Sequence, residues 1–146
     1  MEINNMRIIY TRPDGGLSIV SPAPGVEIER ILAKDIPTDA IGVKVVDESV
    51  IPADRTFRGA WEDGGTGVGV NMPKARLIHM GRIREARDAK LAALDTESLL
   101  AIESDDKLKQ KQITDLKQVL RDIPQTLDLG QAQTPEQLKA LWPAEL

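Results

Sequence analysis

From Pro73 to Asp95, "PKARLIHMGRIREARDAKLAALD", the chain contains nothing that breaks a helix except Gly81. A proline suits a helix's first turn, where its missing N–H costs no hydrogen bond. A helix this long needs a partner for its apolar side, so this segment limits the folds available to the whole chain. On a projection of about 100° per residue, Leu77, Met80, Ile83, Leu91 and Leu94 fall on one side. Ala75, Ala86, Ala89 and Ala93 make a second, small-residue face. A polar break then leads into "SDDKLKQKQITDLKQVLRDIP". There Ser104 is expected as N-cap, Asp105 and Asp106 in the positive first turn, and Pro124 beyond the end. Ile113, Leu116, Leu120 and Ile123 alternate steps of three and four, the pattern of a packed seam. The short break predicts an antiparallel helical hairpin. In "TPEQLKALWP", Thr134 caps a short helix with Pro135 in its first turn and Gln137 reaching back. Leu138, Leu141 and Trp142 form the buried face.

The first half follows a different period. "MRIIYTR" and "LSIVS" alternate around the turn residues of "PDGG", which is a hairpin signal. "GVEIERILAKDIP" spaces Ile28, Ile31 and Leu32 as a helix closed by Pro37. "IGVKVVD" is a strand with Ile41, Val43 and Val45 on one face. The expected fold class is α+β: a small β-β-α-β N-terminal domain, an antiparallel helical hairpin and a short C-terminal helix. The expected boundaries are 1–63 for the small domain including a short helix, 64–73 for a Gly-rich linker, and 74–146 for the helical region.

Composition narrows the chemistry. The chain has no cysteine, so disulfides, thiolate zinc sites and cysteine nucleophiles are excluded. Two Trp, one Tyr and one Phe leave the core to Ile, Leu, Val and Ala, and a thin core favours help from a partner or self-association. No apolar run approaches the ~18–20 residues that cross a bilayer. The start lacks the pattern of a secretory signal, so a cytosolic location is expected. The net charge of −4 is unevenly distributed. Residues 1–71 carry −4, residues 72–90 carry +4 and residues 91–146 carry −4.

Several stretches imitate active sites. "GGTGVGV" has Gly64 and Gly69 at the spacing of a phosphate loop, but Val70 and Asn71 stand where Lys and a hydroxyl belong. A dinucleotide fingerprint from Gly65 and Gly67 fails at Val70. His79, the single histidine, lacks a nucleophile motif or metal-ligand spacing and reads as a helix-surface residue. The basic residues Lys74, Arg76, Arg82, Arg84, Arg87 and Lys90 point around the helix without stacking aromatics, which disfavours nucleic acid. They read as arginine stems covering apolar surface, with heads paired to acids. Asp54 and Glu62 are a candidate carboxylate pair, but Arg55 and Arg58 would hold both ionised. If "ADRTFRGAWE" is helical, Asp54, Arg58 and Glu62 form an i, i+4 charge ladder with Phe57 and Trp61 on a neighbouring face. That describes a short amphipathic helix with an aromatic anchor, either offered to a partner or, the favoured reading, docked on its own domain. No catalytic residue, cofactor or metal ligand is assigned.

The segments "MRIIYTRPDGG", "IPADRTFRGAWE", "MPKARLIHMGRIREARDAKLAALD" and "KQVLRDIPQT", with "TPEQLKALWP" at 134–143, cover nearly the whole chain. Together they resemble small proteins encoded beside tail-fibre genes of tailed bacteriophages and prophages, grouped as tail-fibre assembly or tail-assembly-chaperone-like proteins. The Leu120–Pro124 run matches, but the Trp and Tyr that often precede it in that group are absent from "ITDLKQVLRDIP". The resemblance implies a non-enzymatic protein that binds a tail-fibre or baseplate component, or further copies of itself. It implies residence in the host bacterial cytoplasm or in the virion tail; no membrane partner is expected, and the charge pattern disfavours nucleic acid. The candidate protein-binding residues are Arg55, Phe57, Arg58, Trp61, Arg84, Arg87, Leu116, Leu120 and Trp142. A structural virion adaptor and an inhibitor of a host defence protein are the alternative roles.

Overall fold

The computed structural model describes residues 3–146. The protein is a mixed α+β chain, with small antiparallel sheets followed by long helices. It divides into two compact units, Met1–Ala75 and Arg76–Leu146.

In the first unit, strands β1 (Met6–Thr11) and β2 (Leu17–Val20) form the expected hairpin. Gly15, at φ 83°, turns the chain where a side chain would be strained, and Asp14 accepts the Gly16 N–H at 2.8 Å. Helix α1 (Ile28–Lys34) leads to strand β3 (Ile41–Asp47), and the sheet order is β2-β1-β3. Both outer strands run antiparallel to β1, so they are parallel to each other and the α1 connection crosses over the central strand. Ile8 pairs with Val20 on one side and Val45 on the other, which places all three on one face. There Ile8 packs with Ile28 and Ile31, flanked by Met6, Val20, Val26 and Ile36.

One expectation about β3 fails. Ile9 pairs with Lys44 but Thr11 pairs with Ile41, so two steps on β1 match three on β3. The extra residue makes a bulge at Gly42, whose φ of 63° suits glycine. Past a bulge the alternation inverts, so Ile41 joins the face of Ile9 while Val43 and Val45 stay opposite.

The second face of the sheet also has a cover. Lys44 lies beside Ile9 across the strand pair, and its Nζ reaches the Asp63 carboxylate at 2.7 Å and the Gly65 carbonyl at 3.2 Å. Asp63 ends strand β4 (Trp61–Asp63), which pairs antiparallel with β5 (Val68–Val70) and packs against β1 and β2. The expected Gly-rich linker over 64–73 is therefore replaced by a closed hairpin and the start of a helix. The glycines serve close approach. A Cβ on Gly64 would stand 3.0 Å from the Gly69 nitrogen, and one on Gly67 would stand 2.8 Å from the Val50 Cβ.

Helix α2 (Met72–Glu103) starts two residues before the expected boundary and runs on well past Asp95. Asn71 caps it, its side-chain oxygen accepting the Lys74 N–H at 3.1 Å. In the second unit, α3 (Lys107–Thr126) follows a three-residue turn. Lys117–Asp95 at 2.5 Å and Lys109–Glu97 at 3.9 Å join the two helices, as in the expected antiparallel hairpin. Asp106, not Ser104, caps α3 by accepting the Lys109 N–H at 3.0 Å. Ser104 instead donates back to the Leu100 carbonyl at 2.9 Å. Pro124 lies inside the last turn of α3 instead of beyond it. Ile83, Leu94, Ala101, Ile113, Leu120 and Ile123 are buried.

Two residues of α2 exchange their expected places. Leu77 is 75% exposed and His79 only 3% exposed. The buried row runs Ala75, His79, Ile83 in steps of four, and position 77 falls on the far side of it. Helix α4 (Pro135–Ala140) has the expected Thr134 cap on the Gln137 N–H at 3.1 Å. Its Gln137 side chain reaches back to the Gln133 N–H at 2.8 Å.

The Asp63 carboxyl is held below its ordinary value of 3.8 by the bond from Lys44 and, next, by the Gly65 N–H. A carboxylate with a depressed folded pKa stabilises the fold fully above 3.8, and that contribution is lost as pH falls through the lower folded value. The gap in urea midpoint between the wild type and Asp63→Asn is therefore expected to be constant near neutral pH, to shrink as pH falls below 3.8, and to vanish below the folded value. A gap that does not change with pH contradicts the Lys44–Asp63 tie.

Candidate functional site

The stretch "IPADRTFRGAWE" does not form the expected amphipathic helix. Asp54 folds back on itself, its Oδ1 accepting from the Thr56 N–H at 2.9 Å and from the Thr56 hydroxyl. Such an Asx turn offers the backbone an alternative to helix. A single 3-10 turn follows at Arg58–Ala60, and the chain then enters β4 at Trp61. The Asp54, Arg58, Glu62 ladder is absent, because its i, i+4 geometry needs an α-helix. Glu62 accepts from the Asn71 side-chain amide at 3.2 Å instead. Each member of the candidate carboxylate pair is thus bonded to a nearby residue of its own turn or hairpin.

The aromatic residues here are core. Phe57 and Trp61 are each 3% exposed and Ala60 is fully buried. The Ala60 carbonyl accepts the Asn71 N–H at 2.8 Å, which fixes the turn to the start of α2. The segment is docked on its own domain, as the sequence reading favoured. The Arg55 guanidinium lies 5.9 Å from the Trp61 ring centroid, within cation–π range.

Beside this turn is an open cleft of about 700 Å³. It is lined by apolar Ile19, Ile51 and Pro52 together with Arg7, Arg55 and Arg58. Arg7 is engaged by Glu48 at 3.0 Å. Asp47, also at the cleft, is held below the ordinary carboxylate range chiefly by the Ser49 N–H. Arg55 and Arg58 are exposed, and neither forms an ion pair among the described residues.

In the second unit, side chains of α2 hold the C-terminal segment by its backbone. Arg76 donates to the Ala132 carbonyl at 2.7 Å and Lys90 to the Glu145 carbonyl at 2.5 Å. His79 Nε2 bonds the Leu141 carbonyl at 2.8 Å. Its ring meets Trp142 edge-on with centroids 5.7 Å apart. The expectation that Arg76 and its basic neighbours pair with acids holds only in part. Arg87 binds Asp88 at 2.9 Å, whereas Arg76 and Lys90 bind carbonyls. Of the remaining candidate residues, Leu120 is fully buried, Leu116 and Arg87 are half-buried, Arg84 is exposed and Trp142 is 44% exposed.

A third feature was not singled out by sequence. At the closed end of the α2–α3 hairpin, Leu99, Leu100, Ile102 and Leu108 are 57–69% exposed. Around them stand Glu103, Asp105 and Asp106. The signal was present as an apolar run, "LLAI", beside a polar turn, but sequence alone could not show it unburied.

No family model, no curated protein and no solved structure matches the chain. Among the described residues no group of three or more His, Cys, Asp or Glu is placed to hold a metal ion. No described helix is long and apolar enough to cross a membrane.

Leu138 of α4 is fully buried while Trp142 remains partly exposed. Leu138→Ala is therefore expected to cost about 2–5 kcal/mol, from lost transfer energy plus the cavity left behind. Trp142→Ala should cost clearly less. Urea unfolding of both variants measures this, and equal losses would show that the tail is anchored by Trp142 instead.

Proposed function

We propose that the protein is a non-enzymatic binding factor of tailed bacteriophages or prophages that assists tail-fibre assembly by covering apolar surface on a fibre or baseplate component. One observation carries this reading: the exposed Leu99, Leu100, Ile102 and Leu108 at the end of the helical hairpin. Single exposed apolar side chains are ordinary, but large ones concentrated at one end of an element mark a contact surface. A two-helix hairpin presenting leucine and isoleucine at its turn suits helix-in-groove binding. The resemblance of "IPADRTFRGAWE", "LRDIP" and "TPEQLKALWP" to tail-fibre-associated proteins supplies the class of partner.

The contact residues shift accordingly. Phe57, Trp61 and Leu120 serve the protein's own core, so the hairpin end replaces them as the surface for a partner. Arg55 and Arg58 remain available beside their cleft.

The test is affinity purification of the tagged chain from cells producing phage particles, with mass spectrometry of the captured proteins and of purified virions. The expected result is capture of a tail-fibre or baseplate protein, lost on Leu100→Asp with Ile102→Asp, and absence of the chain from virions. Stoichiometric presence in virions would establish a structural adaptor instead. Capture of a host nuclease or effector complex would establish an anti-defence role.

A further inference from the structure

We propose that the hairpin end of one copy of this chain docks in the arginine-lined cleft of a second copy. The inference rests on the reading of the hairpin end as a binding surface, and it names what covers that end when no fibre component is present.

The two surfaces have complementary chemistry. The cleft offers Arg55 and Arg58, exposed and without an acidic partner among the described residues, beside apolar Ile19, Ile51 and Pro52. Its own acids are Glu48, tied to Arg7 at 3.0 Å, and Asp47, which accepts the Ser49 N–H at 2.9 Å. The hairpin end offers the reverse, acidic Glu103, Asp105 and Asp106 set among exposed Leu99, Ile102 and Leu108. Over residues 103–107, Lys107 offsets one of the three acids, leaving a net −2. Lys107 pairs with Asp105 at 2.8 Å, but both side chains are at least 77% exposed. A pair that solvated contributes little and is readily exchanged for a better one. Glu103 has no ion pair among the described residues.

The turn is also well defined, which lowers the ordering cost of docking. Asp105 adopts φ 53°, and its N–H closes on the Ile102 carbonyl at 3.1 Å. The Asp106 N–H closes on Ala101 at 2.9 Å, and the Gln110 side chain reaches that same carbonyl at 3.1 Å. A cleft of about 700 Å³ falls within the range of sites that bury a ligand-sized group, so it has room for one such turn with a flanking leucine.

The contact joins different surfaces on the two copies, so it is heterologous. Repetition gives a closed ring or an open row. Because the fibre component would use the same hairpin end, self-association and capture exclude each other. The chain would then store its apolar end against its own kind until a partner displaces it.

Sedimentation velocity of the full chain over a concentration series tests this. The wild type is expected to associate with rising concentration, and less so as salt screens the arginine–carboxylate attraction. Arg55→Glu with Arg58→Glu spoils the cleft, and Glu103→Lys with Asp105→Asn spoils the hairpin end. Asn is chosen at 105 because it tolerates the left-handed backbone there. Each double variant alone should be monomeric and still unfold cooperatively in urea, the cleft variant with a slightly lower midpoint because it loses the Arg55–Trp61 contact. Mixed together they should associate again, since each keeps the surface that the other lacks. A wild type that stays monomeric, association that survives either double variant, or a mixture that stays monomeric would overturn the proposal. A monomer that still captures a fibre component overturns only this inference. An associating chain that captures none overturns only the functional reading.

Discussion

The small domain depends on burying Trp61 at the start of a strand that closes the second face of its sheet. A three-stranded sheet with apolar residues on both sides needs two covers, and Ile8 and Ile9 are both buried on opposite faces of β1. Helix α1 supplies one cover with Ile28 and Ile31. The other is the β4–β5 hairpin, too short to hold itself, with three residues in each strand. The hairpin stays in place because its own Trp61 and the preceding Phe57 are buried and because Lys44 ties its tip to β3. With so few aromatic residues in the chain, committing these two to the core leaves neither for chemistry or for a partner.

That commitment explains which parts of the fold were legible in the sequence. The first hairpin, α1 and the Thr134 cap each carry a local signal and form as read. Of the expected buried face Leu138, Leu141 and Trp142, however, only Leu138 is buried, because the helix ends at Ala140 and leaves Trp142 44% exposed. "ADRTFRGAWE" misleads because its charges and aromatics recur at four-residue steps while Asp54 and Thr56 satisfy each other in a turn. The helical period there is coincidental, and the chain instead enters β4, which packs against β1 and β2 with Trp61 buried. The glycines of 64–69 misled in the same way. Composition alone cannot separate a mobile linker from a hairpin whose strands must approach too closely for side chains.

The site was less legible than the fold, for a related reason. Arg76, His79 and Lys90 hold the C-terminal segment through backbone carbonyls, and every residue has one of those, so no sequence pattern points to the contact. Ile41 leaves its expected face because a single left-handed glycine shifts the register. The exposed leucines at the hairpin end could be read as core from their pattern. Only the absence of a packing neighbour turns them into a candidate surface, and that absence is a property of the fold.

The first unit thus keeps Phe57 and Trp61 inside, and each unit leaves a different surface in contact with water: arginines beside a cleft in one, leucines beside acids in the other. The most direct measurement of this account is the tryptophan fluorescence of a Trp142→Phe variant, in which Trp61 is the sole remaining tryptophan. A side chain 3% exposed under a sheet should emit at the blue end of the tryptophan range, resist acrylamide quenching, and shift red only with global unfolding. Red-shifted, freely quenched emission from the folded protein would contradict it, and would return "DRTFRGAWE" to the surface.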